Sequence, residues 1–312
     1  MRTVEGIEDA QPRAGHTPGS PLFLIGAPRS GTSLVYRALS LNPKAAYISN
    51  WLRRRPDWQA VSLLNRLPPL IRQLQVKYWF GEDSNAYRYG QRRSVVERLF
   101  PAPVEGEPVY EACGIGEAVV GLPTLDQAAC LRAAFGAIAR FGGGTTVISK
   151  RISNNRRIAF LDAVFPQARF VSIVRDGRAV AYSLSRVDWW EGGNVWWFGG
   201  TPEQWRERGG DPWDLCARTW VEEVRAIESG LATVDPARVK RVSYEELVAD
   251  PLAQLSAIAR FGGLPDSERW TASLRRLQFP NRNEGWRSNL DPELTNRIEG
   301  TQAEELHRYG YL

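Results

Sequence analysis

Histidine is nearly missing from this 312-residue chain, which holds only His16 and His307, and lysine is confined to Lys44, Lys77, Lys150 and Lys240 among 40 basic residues. The shortage of histidine leaves the usual proton shuttle at neutral pH with one position in a polar amino-terminal stretch and one close to the carboxyl terminus. Cysteine is almost as scarce. Cys113, Cys130 and Cys216 are odd in number, widely spaced and without CxxC pairing, so they offer no metal-ligand pattern and read as core residues in a reducing compartment. No run of about 18 apolar residues is present to span a bilayer, and residues 1–20 lack the apolar centre of a secretory signal. These absences lead to the expectation of a cytoplasmic protein with a loose tail over residues 1–20. The rest, residues 21–312, reads as one domain, because no internal repeat and no linker rich in Pro, Gly or Ser divides it.

Arginine fills the place left by lysine: 36 of the basic residues are arginines, and the net charge is +5. The planar guanidinium fork matches phosphate and sulfate. An excess this small predicts no nucleic-acid partner, and by itself it does not separate an anion-binding role from a solvated surface.

Residues 22–25, a short apolar run, together with 145–149 and 169–174, read as strands, and residues 239–242 as a further short strand. Helical spacing marks residues 32–41, 123–140, 158–165, 177–187, 245–250 and 251–261. Residues 51 to about 100 mix Arg, Trp and Tyr with helical spacing at Val61, Leu63, Leu64 and Leu67, so a helical insertion is expected within residues 51–141. Short strands alternating with helices predict an α/β fold of three layers, with a mostly parallel central sheet flanked by helices. Ligands in such sheets bind beyond the carboxyl ends of the strands.

At the first of those ends lies Gly26-Ala27-Pro28-Arg29-Ser30-Gly31-Thr32-Ser33, a strand-to-helix loop of the kind whose N–H groups and helix dipole hold a phosphate. The alternative reading is a tight turn with Ser30 or Thr32 as helix cap. The two glycines have Walker A spacing, yet Thr32-Ser33 stands where a nucleoside-triphosphate loop needs Lys followed by Ser or Thr. A small-molecule kinase with magnesium is therefore the weaker enzyme reading, and no cluster of His, Cys or carboxylates has metal-ligand spacing. At a later strand end, Arg175 is followed eight residues on by Ser183, placed so that both face one anion.

Taken together, Pro28-Arg29-Ser30-Gly31-Thr32-Ser33 and the Arg175 to Ser183 pair resemble the two nucleotide motifs of the sulfotransferase family that uses 3′-phosphoadenosine 5′-phosphosulfate (PAPS). The similarity continues through residues 165–171, through Val242-Ser243-Tyr244-Glu245-Glu246-Leu247, and through residues 281–287; residues 51–141 match poorly. The resemblance implies a P-loop-like fold and PAPS as cosubstrate without a metal. It implies that residues 28–33 hold the 5′-phosphosulfate, Arg175 and Ser183 the 3′-phosphate, and that Tyr244 lies near the adenine. Arg282, Asn283 and Arg287 would close over the 3′-phosphate side. Asp176-Gly177 replaces the Asn-Pro or Asp-Pro that often follows the arginine and still permits a turn into a helix.

Sulfuryl transfer runs through a loose in-line transition state, so positioning and charge stabilisation suffice. Arg29 and the strand-end Lys150 are the expected donors. The histidine of cytosolic relatives would fall near Ile152, and the glutamate of carbohydrate and tyrosylprotein relatives would fall within Tyr47-Ile48-Ser49-Asn50; neither is present. Glu111, beside small residues, is the expected base, followed by Glu117 and Asp188; Asn154 is expected either to orient an acceptor or to cap a helix. The missing base also keeps open a noncatalytic nucleotide-binding or sulfated-ligand-binding protein of the same fold. The acceptor is expected to be a carbohydrate, a glycolipid or a small metabolite. The aromatic stretch 189–198, interrupted by glycines, reads as an acceptor wall, as a core cluster or as a peripheral membrane contact.

Overall fold

A computed structural model describes residues 20–81 and 94–312, with the side chains of Asp188 and Trp189 outside that description. The expected tail falls, apart from Ser20, outside the described residues. Five described strands form one sheet: β1 (Leu22–Ile25), β2 (Ala45–Tyr47), β3 (Thr146–Lys150), β4 (Arg169–Val174) and β5 (Val239–Ser243). They lie in the order β2-β3-β1-β4-β5, all parallel. β1 is central, with Leu24 opposite Lys150 on one side and Val171 on the other. A strand covered on both faces has no solvent-facing positions, which is why all four residues of β1 are apolar and fully buried.

Helix α1 (Thr32–Ser40) follows β1. Between β2 and β3 run α2 (Asn50–Arg54), α3 (Arg72–Phe80), α4 (Val95–Leu99), α5 (Glu107–Glu111) and α6 (Leu125–Gly142), with 3₁₀ turns at Gln59–Arg66 and Pro68–Leu70. α7 (Ile158–Val164) joins β3 to β4 after a 3₁₀ turn at Ile152–Arg156. α8 (Gly177–Leu184), α9 (Asp188–Glu191), α10 (Pro202–Glu207) and α11 (Pro212–Leu231) separate β4 from β5. The chain closes with α12 (Tyr244–Ala249), α13 (Pro251–Phe261), α14 (Glu268–Leu274), α15 (Gly285–Asn289) and α16 (Pro292–Arg308).

Alternation along β1 splits the core in two. Leu22 and Leu24 face Leu39 of α1, Phe80 of α3, Ile258 of α13 and Trp270 of α14. Phe23 and Ile25 face Phe135 of α6, Phe160 of α7 and Ile227 of α11. Phe23 stacks on Phe170 at 5.4 Å between ring centroids, and burying a side chain of this size stabilises the fold by roughly 1.5–3 kcal/mol. The result is the three-layer α/β fold that the alternating pattern predicts.

Several elements lie outside the expectations: the three-residue strand β2, the 20-residue helix α11, and α14 to α16 near the carboxyl end, of which α16 has 17 residues. The cysteines also need correction: Cys113 and Cys130 form a disulfide, because the end of α5 returns against the start of α6 and brings their Cα atoms to 5.6 Å. Cys216 alone is the buried free thiol expected, its pKa pushed up to about 12 by burial.

Candidate functional site

The loop from β1 to α1 is held from behind by one side chain. The Gly26 N–H donates to Asn155 Oδ1 at 3.1 Å, and the Gly26 carbonyl accepts from Asn155 Nδ2 at 3.0 Å. A Cβ at Gly26 would stand 2.5 Å from the Ile173 carbonyl oxygen, so the loop leaves the sheet where only glycine fits. Arg29 has φ 71°, the lone positive φ outside glycine among the described residues, a conformation costing an L-residue about 1–2 kcal/mol. Gly31 follows at φ 90° as the residue capping α1. No side chain caps this helix, so neither Ser30 nor Thr32 takes the capping part. The first N–H groups of α1 are therefore available to an anion at its amino end. Ser30 Oγ is buried and without a hydrogen-bond partner.

Arg175, at the carboxyl end of β4, is 5% exposed and lines the cleft end of that strand. Its Nε donates to Asn283 Oδ1 at 3.0 Å, and its two terminal nitrogens donate to the carbonyls of Arg29 (2.8 Å) and Arg282 (2.5 Å). The guanidinium carbon stands 4.4 Å from the centre of the Tyr244 ring. Burial lowers the Arg175 pKa, against the opposing charges of Tyr244 and Glu245. Ser183, on α8, accepts from Arg29 Nε at 2.8 Å. Arg29 thus bridges the two motifs, its carbonyl to Arg175 and its side chain to Ser183.

A third wall comes from β3 and α5. Lys150 ends β3, is 5% exposed and pairs with Glu105. Arg151 donates to Glu105 Oε2 at 3.0 Å and to Glu107 Oε2 at 2.6 Å. Glu107 also accepts from Ser153 Oγ at 3.0 Å and from the buried Arg157 at 3.1 Å, three bonds in all. Burial raises the Glu105 pKa, but Lys150 and Arg151 outweigh it and hold the carboxyl below its ordinary value.

These walls enclose a cleft of about 1400 Å³ at the carboxyl ends of the strands. Pro28, Arg29, Gly31, Thr32, Ser33, Lys150, Arg175, Ser183, Tyr244 and Arg282 line it, as does the exposed Glu111. Ser30 is buried beneath the loop, and Asn283 stands behind Arg175, held by Glu245 at 2.8 Å. Arg287 lies off the lining, paired with Glu284 at 2.9 Å and packed on Trp286. Glu117 also lies off it, 3.8 Å from Arg151. Asn154 is buried and donates to the Tyr110 hydroxyl at 3.2 Å, neither capping a helix nor lining the cleft. The side chain of Asp188 lies outside the described residues.

Residues 21–268 match the model of the Sulfotransferase family. The chain belongs to that family. Over 176 residues it is 31% identical to the omega-hydroxy-beta-dihydromenaquinone-9 sulfotransferase Stf3 of Mycobacterium bovis, and equally to that of Mycobacterium tuberculosis. The match covers 53% of this chain and 41% of each relative, so the chain spans less than half the length of the curated proteins it matches. Among solved structures, the sulfotransferase STF9 of Mycobacterium avium superposes with a TM-score of 0.58 at 16% identity, covering 94% of this chain and 77% of the other. STF1 of Mycobacterium tuberculosis gives 0.54 at 17% identity, covering 93% and 78%. Both show a shared fold.

Within this member of the family the aromatic stretch turns inward. Trp190, Trp197 and Phe198 pack with Trp205, Trp213, Leu184 and Ile298 as a third core cluster. Trp196 donates to Glu223 Oε1 at 2.9 Å, and the same buried carboxylate accepts from Asn155 at 2.6 Å. Burial raises the Glu223 pKa. Glu223, Asn155 and Glu105 were not singled out from sequence. Glu105 carried a faint signal as one of two acids in the Pro103 to Pro108 stretch, but nothing local ties it to a lysine 45 positions away.

Proposed function

We propose that the protein transfers the sulfuryl group of PAPS to a hydroxyl or amine of a carbohydrate, lipid or small-metabolite acceptor. The observation that carries this reading is the convergence of loop 28–33, Lys150, Arg175 and Tyr244, from the ends of four adjacent parallel strands, on one cleft. The donors there are guanidinium, ammonium and amide N–H groups, a set suited to a ligand carrying separate phosphate and phosphosulfate groups. The loop lacks the lysine that a magnesium nucleoside triphosphate requires. The cleft exceeds the roughly 300–1,000 Å³ of an ordinary ligand pocket, which leaves room for an acceptor beside the nucleotide.

In this reading PAPS supplies the activated S–O bond that is broken in the transfer. Residues 28–33 and the amino end of α1 bind the 5′-phosphosulfate. Arg175 and Ser183 bind the 3′-phosphate with the Arg282–Asn283 turn, and Tyr244 braces Arg175. Arg29 and Lys150 stabilise charge at the transfer point, a type of contact whose loss raises a barrier by roughly 2.7–4 kcal/mol. Glu105 takes the acceptor proton in preference to Glu111. It stays ionised near neutral pH beside Lys150, while Glu107 is held by two arginines and Glu111 faces solvent. A weak base suffices because the proton becomes acidic only as the new S–O or S–N bond forms.

Calorimetry with 3′,5′-adenosine diphosphate and with ATP plus magnesium tests the donor assignment. Metal-independent binding of the former, weakened in Arg175→Ala, is expected; preference for ATP with magnesium, or indifference to the substitution, sinks it. For the base, Glu105→Gln should lower kcat for transfer from PAPS about 100-fold or more while Glu111→Gln leaves it near wild type. The reverse pattern would return the role to Glu111.

A further inference from the structure

We infer that the face built by residues 51–80 together with α4 docks onto an anionic lipid bilayer. This inference goes beyond the proposed transfer reaction and does not depend on it. Residues 51–80 contain six cations and a single acid, Asp57, so the whole net charge of +5 resides in this segment and the remainder of the chain is electrically balanced. Arg53, Arg54, Arg55 and Arg66 are exposed. Interleaved with them are large apolar side chains turned to solvent: Trp58 is 64% exposed, Leu67 47%, Leu70 78% and Ile71 48%.

α4 extends the same face. It is fastened to α2 by Asn50 Nδ2 donating to the Arg98 carbonyl at 2.9 Å and by Trp51 Nε1 donating to the Leu99 carbonyl at 2.6 Å. Its Val95 and Val96 are 69% and 57% exposed. Exposed Leu, Ile, Val and Trp among arginines, with almost no acid, is the composition of a surface that lies in the headgroup region.

Charge decides between occupants. A second copy of this chain would set one arginine-rich face against another, and like charges apposed in an interface are costly. Anionic headgroups neutralise the arginines while the acyl boundary takes up the apolar side chains. The face also adjoins the cleft. Arg53 belongs to the cleft lining, and the chain passes from Val95, Val96 and Leu99 directly to Pro103, Val104 and Glu105 on the cleft wall. From Arg53 at the cleft the segment runs to Arg66, which donates to the Phe141 carbonyl ahead of β3 at 2.7 Å, so the face flanks the cleft along the β2 side of the sheet. The aromatic stretch 189–198, whose described rings pack inward, takes no part.

Cosedimentation with vesicles tests the inference. Wild-type protein should bind vesicles of equimolar phosphatidylcholine and phosphatidylglycerol, bind phosphatidylcholine alone far less, and release as salt is raised. Arg54→Gln combined with Arg55→Gln should weaken partitioning about 25-fold, at about fivefold for each arginine. Leu70→Glu combined with Ile71→Glu should weaken it at least about tenfold. Both variants alter exposed side chains and should keep wild-type melting and wild-type affinity for 3′,5′-adenosine diphosphate. Failure of the wild type to bind anionic vesicles overturns the inference. So does vesicle binding by both variants at wild-type strength, or light scattering that finds a dimer abolished by the Leu70 and Ile71 changes.

Discussion

Gly31→Ala is expected to damage the nucleotide loop by two separable routes. Gly31 sits at φ 90°, and a Cβ there would lie 2.8 Å from Cδ2 of Tyr244. The left-handed backbone costs an alanine about 1–2 kcal/mol, and forcing a methyl into a packed contact adds about 1–3 kcal/mol. Removing the ring by Tyr244→Ala abolishes the second cost and leaves the first. A double-mutant cycle in urea should therefore give a total loss of about 2–5 kcal/mol for Gly31→Ala alone, falling to about 1–2 kcal/mol when Tyr244→Ala is already present, a coupling of about 1–3 kcal/mol. Arg175 rests on the same ring, so displacement of Tyr244 should also weaken binding of 3′,5′-adenosine diphosphate. Equal cost of Gly31→Ala in both backgrounds would refute the proposed packing of loop, ring and arginine.

Glu107→Gln leaves Arg157, a fully buried guanidinium, without its carboxylate, and removing one partner of a buried pair typically costs roughly 3–5 kcal/mol. Burial raises the Glu107 pKa, but Arg157 and Arg151 outweigh it and hold the carboxyl below 4.5. The stabilisation is thus complete above pH 4.5 and is lost as pH falls through the lower folded-state value. Urea titrations should show a constant gap between wild type and variant near neutral pH that narrows in acid; a gap below about 1 kcal/mol at pH 7 would contradict the pairing. For the Cys113–Cys130 disulfide, thiol titration of the denatured protein should find one thiol, that of Cys216, before reduction and three after it. Cys113→Ser should cost roughly 3 kcal/mol, the loop-closure value for a separation of this length; three thiols without reduction would remove the bridge.

Much of the sheet is visible in the sequence because its inner strands are buried on both faces, β1 apolar without interruption and β4 broken only by Ser172 after its first residue. β2 is hidden because Ala45-Ala46-Tyr47 is short and has no β-branched residue; it becomes a strand through pairing with β3. α11 is hidden for a different reason. Its start signals are present, with Asp211 capping Trp213 and Asp214 and Pro212 in the first turn, but its tryptophans read as a continuation of the preceding aromatic stretch, and the helical spacing that buries Trp220 completely goes unread. In the cleft, residues 28–33, Arg175 and Ser183 are legible because each occupies a fixed place at a strand end. Glu105 is not, because its role depends on a loop between elements far apart in sequence that folds back to Lys150.

The order of the strands also governs how the chain assembles. β1 is synthesised before both its neighbours, β3 and β4, which come more than 120 residues later, and the Asn155 amide that clamps Gly26 lies between them. At roughly 5–20 residues per second, the centre of the sheet waits about 7–30 s for its partners. The most apolar strand of the molecule spends that interval unpaired. Exposure of β1 to other nascent chains is therefore expected to limit expression yield, and slowing translation after residue 25 should lower it.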